Sequence, residues 1–241
     1  MAMGSNKVPE RLQALLHHFR SSNSLPNITN LSRDQFNSNP TKRAAVLICL
    51  FEDSDGNLRV FLTQRASSLS THSGEVALPG GKREEGDADD VETALREAKE
   101  EIGLDPSLVT VITLLEPFHT KYGITIIPVV GMLSDKDVFS PVLNAAEVET
   151  IFDVPLEMFL KNDNRRADER EWMGEKYLRH YFDYEVENKK YVIWAVTAAM
   201  LIRAATVILQ RPPAFLEKRP KIWGGITESD RIMLQNSSSK Q

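Results

Sequence analysis

The chain is nearly without cysteine. Of its 241 residues only Cys49 is one, so no disulfide can form within the chain, and a reducing compartment is compatible. Cys49 sits in the apolar run Ala44–Phe51, which makes it a small core residue in expectation, not a nucleophile. No apolar run approaches the roughly 18 residues needed to cross a bilayer, and the N-terminus has no apolar core of a secretory signal. The C-terminus SSSKQ is not the peroxisomal SKL ending. There is no basic excess. The net charge is -5, which argues against nucleic acid as a partner and leaves a small nucleotide-containing molecule open, since local arginines can serve it. No internal repeat is visible. Together these absences suit a cytoplasmic protein without a membrane partner, with a mitochondrial location as the alternative.

What is present suits one globular domain with extensions, at 41% hydrophobic and 26% charged residues. Residues 1–41 read as an N-terminal helix and linker. Leu12, Leu15, Leu16 and Phe19 recur at helical spacing within Pro9–Ser21, and a Ser/Asn/Pro-rich arm follows. A docked surface helix is the expectation. A mitochondrial presequence is the alternative, opposed by Glu10 and the short positive content. The domain proper is expected over residues 42–210, and residues 211–241 as a C-terminal extension ordered in part.

Within the domain, Ala44–Phe51 and Leu58–Arg65 flank the turn residues Asp53-Ser54-Asp55-Gly56, a hairpin signal. A polar loop over residues 66–74 precedes a short strand, Glu75–Leu78. Leu108–Pro117 and Ile124–Leu133 form a second hairpin signal. Val148–Phe152 is a short strand, Leu156–Leu160 a brief helix after Pro155, and Asn162–Trp172 a charged loop. Leu178–Tyr184 and Lys190–Ala195 flank a polar turn, and Thr197–Leu209 reads as a buried helix. Mixed strands with few helices argue for an α+β class, helices packed on sheet faces. Trp194 reads as core. Arg165, Arg166 and Arg170 read as part of a solvated charged loop, with a phosphate clamp as the second reading.

The segment richest in chemistry is Pro79–Leu104. Pro79-Gly80-Gly81 is a turn where backbone can come close to a ligand. The next helix starts near Asp89 and Asp90, acids suited to the positive end of its dipole, and stops at Gly103. Val91, Ala94, Leu95, Ala98 and Ile102 form its apolar stripe. Glu97 and Glu101 are four apart and share a face, and Glu100 reaches the same side. Carboxylates crowded in this way repel one another, and Mg²⁺ or Mn²⁺ takes oxygen ligands of this kind. Arg96 stands four before Glu100 and can pair with it. A solvated acidic helix face is the plainer alternative.

The run Arg96–Leu104, R-E-A-K-E-E-I-G-L, with the upstream Gly81, resembles the Nudix box. That box has a glycine, a glutamate after five residues, then after seven more R-E-U-x-E-E-x-G-U, where U is apolar. Here Asp87 stands where the family has glutamate, and eight residues separate it from Arg96. Upstream, Leu62–Gly81 resembles the signature of the coenzyme A pyrophosphatase branch, most like its plant members. Thr63, Arg65, Ala66, Gly74 and Pro79-Gly80-Gly81 match in register, while Ser70 replaces an arginine and Leu78 a phenylalanine.

The resemblance implies a Nudix fold, an α/β/α sandwich around a mixed β-sheet. It also implies metal-dependent cleavage of the pyrophosphate of coenzyme A or its acyl derivatives into 3′,5′-ADP and (acyl-)4′-phosphopantetheine. Glu97, Glu100 and Glu101 are the implied catalytic metal ligands, for Mg²⁺ or Mn²⁺. Asp87 either assists through a water or fixes the loop. For the general base, Glu147 is the later-loop candidate beside the box glutamates themselves, with an exposed loop acid as its plainer reading. Arg65, His72, Gly74, Gly80 and Gly81 are the candidates for substrate contact. Arg65 could equally pair with a nearby acid, and His72 could simply be exposed. Ser70 keeps open another nucleoside diphosphate derivative, such as ADP-ribose or NADH. A catalytically silent nucleotide-binding Nudix module is the alternative of another class, and a homodimer is compatible with the sequence.

Overall fold

The computed structural model describes residues 43–120, 122–172 and 174–220. The expected N-terminal helix and linker, and residues 221–241, lie outside them. Eight strands form one mixed sheet: β1 Arg43–Glu52, β2 Leu58–Arg65, β3 Val76–Ala77, β4 Gly80–Lys82, β5 Val109–Leu114, β6 Phe118–His119, β7 Thr125–Leu133 and β8 Val148–Pro155. The path runs β3-β2-β1-β7-β5, with β4 on β1, β6 on β7 and β8 on β2. β1 and β7 are parallel over Arg43–Leu50, and their neighbours are antiparallel. Both faces of β1 are covered, which is why RAAVLICLFE reads as a continuous apolar run instead of alternating.

Alternation appears in what each side chain meets. Ala45, Leu47, Cys49 and Phe51 point to the face covered by helix α1 (Asp90–Ile102), with Phe61, Ile127 and Val129. Ile48 and Leu50 point to the other face, with Val60, Leu62, Val130 and Met132, under helix α2 (Ala195–Leu209). The molecule is thus an α/β/α sandwich around a mixed sheet. Among the described residues no helix is long and apolar enough to cross a membrane.

A second sheet of β9 Arg165–Trp172, β10 Glu175–Val186 and β11 Lys189–Trp194 packs beside α2. The stretch expected as a charged loop is therefore largely strand. Its sequence RRADEREW has no β-branched residue, and eight register pairs with β10 hold it extended. Its arginines are engaged within the ribbon: Arg165 over Phe215, Arg166 over Tyr181 and near Asp183, Arg170 with Asp168. Trp194 is not core. It stacks on Tyr181, its register partner, with ring centroids 5.8 Å apart and Arg179 over both rings.

Residues 211–220 pack back on the domain. Ala214 donates to the Leu160 carbonyl, and Leu178 donates to that of Lys218. The anchor is His180, 4% exposed. Its Nε2 donates to the Glu217 carbonyl at 2.9 Å and its Nδ1 accepts from Arg165 at 2.9 Å. Only a neutral ring can do both. Burial first, and the Arg165 charge second, lower its proton affinity. The unfolded chain therefore takes up this proton first as pH falls. The stabilising contribution is complete above about 6.5 and is lost as pH drops toward the depressed native value. Urea unfolding at pH 7.5 and 5.5 tests this. Wild type should lose more stability on acidification than H180Q, whose amide can donate and accept in the same places without titrating, by on the order of 1 kcal/mol.

Candidate active site

α1 begins on a double cap. The Asp89 carboxylate accepts from Glu92 N–H at 2.9 Å, and the Glu92 carboxylate accepts from Ala88 N–H at 2.6 Å. It ends at Gly103 in the left-handed region, φ 72°, whose N–H returns to Ala98 and Lys99. Ala94, Ala98 and Ile102 are fully buried against β1 and β7. The small volume of Ala94 and Ala98 brings the helix close to the sheet, so its other face meets Gly80 and Gly81 of β4.

Pairing of β4 with β1 sets Gly81 opposite Ala45 and Gly80 opposite Val46. A methyl group on Gly81 would overlap the Glu97 carboxylate, and one on Gly80, at φ 153°, would overlap the backbone of Ala45 and Val46. The two glycines thus serve different needs. Gly80 lets the chain lie against β1, and Gly81 makes room for a carboxylate.

Gly80 N–H donates to Glu101 Oε2 at 3.2 Å. Glu101 is 3% exposed. Burial first, and then its acidic neighbours Glu97 and Glu147, outweigh the Gly80 bond and Arg65 and push its pKa up to about 7. Glu97 is likewise raised, chiefly by burial, against the pull of Arg96. Glu100 is more exposed and pairs with Arg96 at 3.0 Å. Arg96 also forks onto Asp87, Nε to Oδ1 at 2.8 Å and Nη2 to Oδ2 at 3.0 Å, and reaches Glu97 at 3.2 Å.

Asp87 accepts in addition from Glu84 N–H and the Thr93 hydroxyl, each at 2.9 Å. With these four donors its pKa lies far below the usual carboxylate range, Arg96 being the largest cause. Of the two expectations for Asp87, fixing the loop is the one its surroundings match.

Arg65 closes the upstream signature. Its N–H donates to the Glu75 carbonyl and its own carbonyl accepts from Gly74, which sits at φ 70°. Gly74 therefore shapes the loop. The Arg65 guanidinium lies 3.8 Å from Glu101, and its Nε is buried without a hydrogen-bond partner. The acid it approaches is itself one of the candidate site acids. His72 is exposed and its ring faces Glu75 at 2.9 Å.

Glu147 is half-buried, and its charge raises the proton affinity of both Glu97 and Glu101. The plainer reading as an exposed loop acid does not describe it. Its loop is tied down: Ala66 N–H donates to the Glu147 carbonyl, Val142 N–H to Ile102, and Asn144 N–H to Glu101. Asn144 is the residue that sequence reasoning passed over. Nothing in the local pattern sets it apart from the other loop polars.

Among the described residues no three acidic, histidine or cysteine side chains are already gathered into a metal cage. The donor set nonetheless suits a hard divalent cation. Glu97 and Glu101 offer carboxylate oxygens that burial leaves short of compensating charge, and Mg²⁺ keeps several waters and needs few protein ligands.

The NUDIX domain model matches residues 41–194. The chain belongs to the Nudix family, and to its hydrolases. It is 64% identical over 194 residues to "Nudix hydrolase 15, mitochondrial" of Arabidopsis thaliana, covering 80% of this chain and 68% of that protein. It is 62% identical over 181 residues to "Nudix hydrolase 22, chloroplastic" of the same plant, covering 75% of this chain and 60% of that protein. It is 37% identical over 162 residues to "Peroxisomal coenzyme A diphosphatase NUDT7" of Mus musculus, covering 66% of this chain and 68% of that protein. The Nudix fold and the likeness to the coenzyme A pyrophosphatase branch are thus borne out.

The two glycines make a paired prediction. In G81A the atoms in the way are the end of a flexible glutamate, so stability should change by less than about 1 kcal/mol. The displaced Glu97 carboxylate should cost turnover on the order of 100-fold. In G80A the obstacle is backbone, so the loss should appear in the unfolding midpoint. Turnover and thermal melts of the two proteins check this contrast.

Proposed function

We propose that this Nudix hydrolase cleaves the pyrophosphate bond of coenzyme A or acyl-coenzyme A, giving 3′,5′-ADP and (acyl-)4′-phosphopantetheine. The observation that carries the reading is the pair of half-buried Glu97 and buried Glu101 against Gly80 and Gly81 of β4, with Arg65 beside it from the upstream signature. Glu97 and Glu101 would hold Mg²⁺ or Mn²⁺, with Glu100 reaching it on leaving Arg96. Such an ion supplies charge neutralisation for the diphosphate and a more acidic bound water. Arg65 is positioned to turn from Glu101 toward a phosphate, since a guanidinium with a spare buried N–H favours a bidentate anion. Glu147 takes the proton of the attacking water as its oxygen bonds to phosphorus and the bridging P–O bond breaks. His72, Gly74, Gly80 and Gly81 belong to the substrate-facing loops, the glycines through backbone shape.

Ser70, exposed in that loop where the branch pattern has arginine, favours a second reading. In it the substrate is another nucleoside diphosphate derivative, such as ADP-ribose or NADH. The catalytic domain is taken as residues 42–210, with residues 211–241 as an extension. The compartment is taken as a reducing one, cytoplasmic or mitochondrial. There Cys49 is inert, because burial pushes its thiol up to about 12.

The test is a substrate panel of coenzyme A, acetyl-coenzyme A, ADP-ribose and NADH, with Mg²⁺, Mn²⁺ or chelator. Metal-dependent release of 3′,5′-ADP should dominate, and E97Q and E101Q should each lower turnover on the order of 100-fold or more. Faster hydrolysis of ADP-ribose or NADH would transfer the assignment to the second reading.

A further inference from the structure

Asn144 is the hub of the turn that presents Glu147. Its N–H donates to the Glu101 carbonyl at 3.0 Å, and its carbonyl accepts from the N–H groups of Glu147 and Val148, each at 2.9 Å. Its side-chain oxygen accepts from Ala146 N–H at 3.2 Å. A backbone N–H can only donate, so that contact fixes which end of the amide is which. The amide NH₂ is thereby turned the other way, and it donates to Glu147 Oε1 at 3.3 Å.

The Glu147 carbonyl, meanwhile, accepts from Ala66 N–H at 2.8 Å, next to Arg65 of the signature loop. Backbone bonds therefore set where Glu147 stands relative to both α1 and β2, and the Asn144 amide sets where its carboxylate points. The following acid, Glu149, has no such tether among the hydrogen bonds of the described residues and is exposed.

We propose that Asn144 is the positioning residue for Glu147: a neutral donor that orients the proton-accepting carboxylate without neutralising it. A lysine or arginine in its place would hold Glu147 more tightly but would lower its basicity and its charge toward the site. An amide restricts the rotamer and leaves the second carboxylate oxygen for a water. The same residue's backbone is bonded to Glu101, so the candidate base and a candidate ligand are registered to each other through one residue. This inference rests on the reading of Glu147 as general base.

The test uses the full chain and a double-mutant cycle. N144D keeps an oxygen for Ala146 N–H and so keeps the turn, but replaces the donor facing Glu147 with a charged acceptor. Four proteins are compared, wild type, N144D, E147Q and N144D/E147Q, for kcat and KM on coenzyme A at saturating Mg²⁺, with a melt of each.

E147Q is expected to lower kcat by about 100-fold or more, and N144D by about tenfold or more with KM within about twofold. The double variant is expected to be no slower than E147Q, because the donor has nothing left to orient. Losses that multiply in the double variant, or wild-type kcat in N144D, would overturn the role of Asn144. Wild-type kcat in E147Q alone would instead overturn the general-base reading, so the two failures are told apart. If the melt shows that N144D does not fold, N144S retains an uncharged turn acceptor and is carried through the same cycle, with the same absence of added loss expected.

Discussion

The structure depends on one close approach: the carboxylates of Glu97 and Glu101 pressed against Gly80 and Gly81 of β4. Removing two carboxylates from water is costly, and the compensation present is incomplete. Glu101 receives one N–H at 3.2 Å and a guanidinium at 3.8 Å, and Glu97 a guanidinium at 3.2 Å that it shares with two other acids. That shortfall leaves Glu101 near neutrality in proton affinity instead of firmly ionised. A surface acid would be hydrated and indifferent to its neighbours. A fully bridged one would have no attraction left for a cation. Incomplete compensation at a buried site is the state in which a dication gains most. The small residues under α1, Ala94 and Ala98, make the approach sterically feasible, and β4 pairing on β1 delivers the turn to it.

Arg96 is the counterweight. One planar guanidinium serves Asp87, Glu97 and Glu100 and also reaches the Lys82 carbonyl. Its stronger commitment is to Asp87, which ties the loop before α1 to the helix and so keeps the glycine turn where it is. The helix start is held by a similar fork from β1, Arg43 onto the buried Asp90, with both contacts at 2.6 Å. Buried pairs of this kind contribute little net stability relative to an apolar filling, but losing one partner strands a charge. They fix orientation, which is what a site built from rotatable glutamates requires.

How much of this could be read beforehand depends on whether the determinant is local. The α1 stripe, its caps at Asp89 and Gly103 and the Arg96–Glu100 pair follow from spacing of three or four residues, and each is found, whereas Gly80 and Gly81, expected as a turn, pair with β1 as strand β4. The strand β9 was not legible. Its charged, unbranched sequence has no strand period, and its extended form comes from β10, later in the chain. Trp194 was misread for a related reason: an aromatic between strand and helix looks like core, and only the register with Tyr181 shows that it faces outward. The sequence around Arg65 suits a phosphate or a nearby acid equally. That acid, Glu101, is thirty-six positions away in sequence, and the turn between them brings it near. Asn144 is the clearest case. Its partners Glu101 and Glu147 both stand out in sequence, but Asn144 does not, and the relation among the three exists only once α1 and the loop before β8 are docked.

The two departures from the family's box are better understood together than singly. Asp87 is one methylene shorter than the expected glutamate, and the segment between it and Arg96 is one residue longer. A shorter side chain on an unchanged loop would fall short of the guanidinium or meet it through one oxygen. A longer loop carrying a glutamate would crowd it. With both changes present the carboxylate meets Arg96 through two oxygens at 2.8 and 3.0 Å, and it still accepts from the Thr93 hydroxyl and from Glu84 N–H. The front of the box thus ties its loop to α1 through Asp87 and Arg96, and the acidic half, Glu97 to Glu101, follows in the family's pattern.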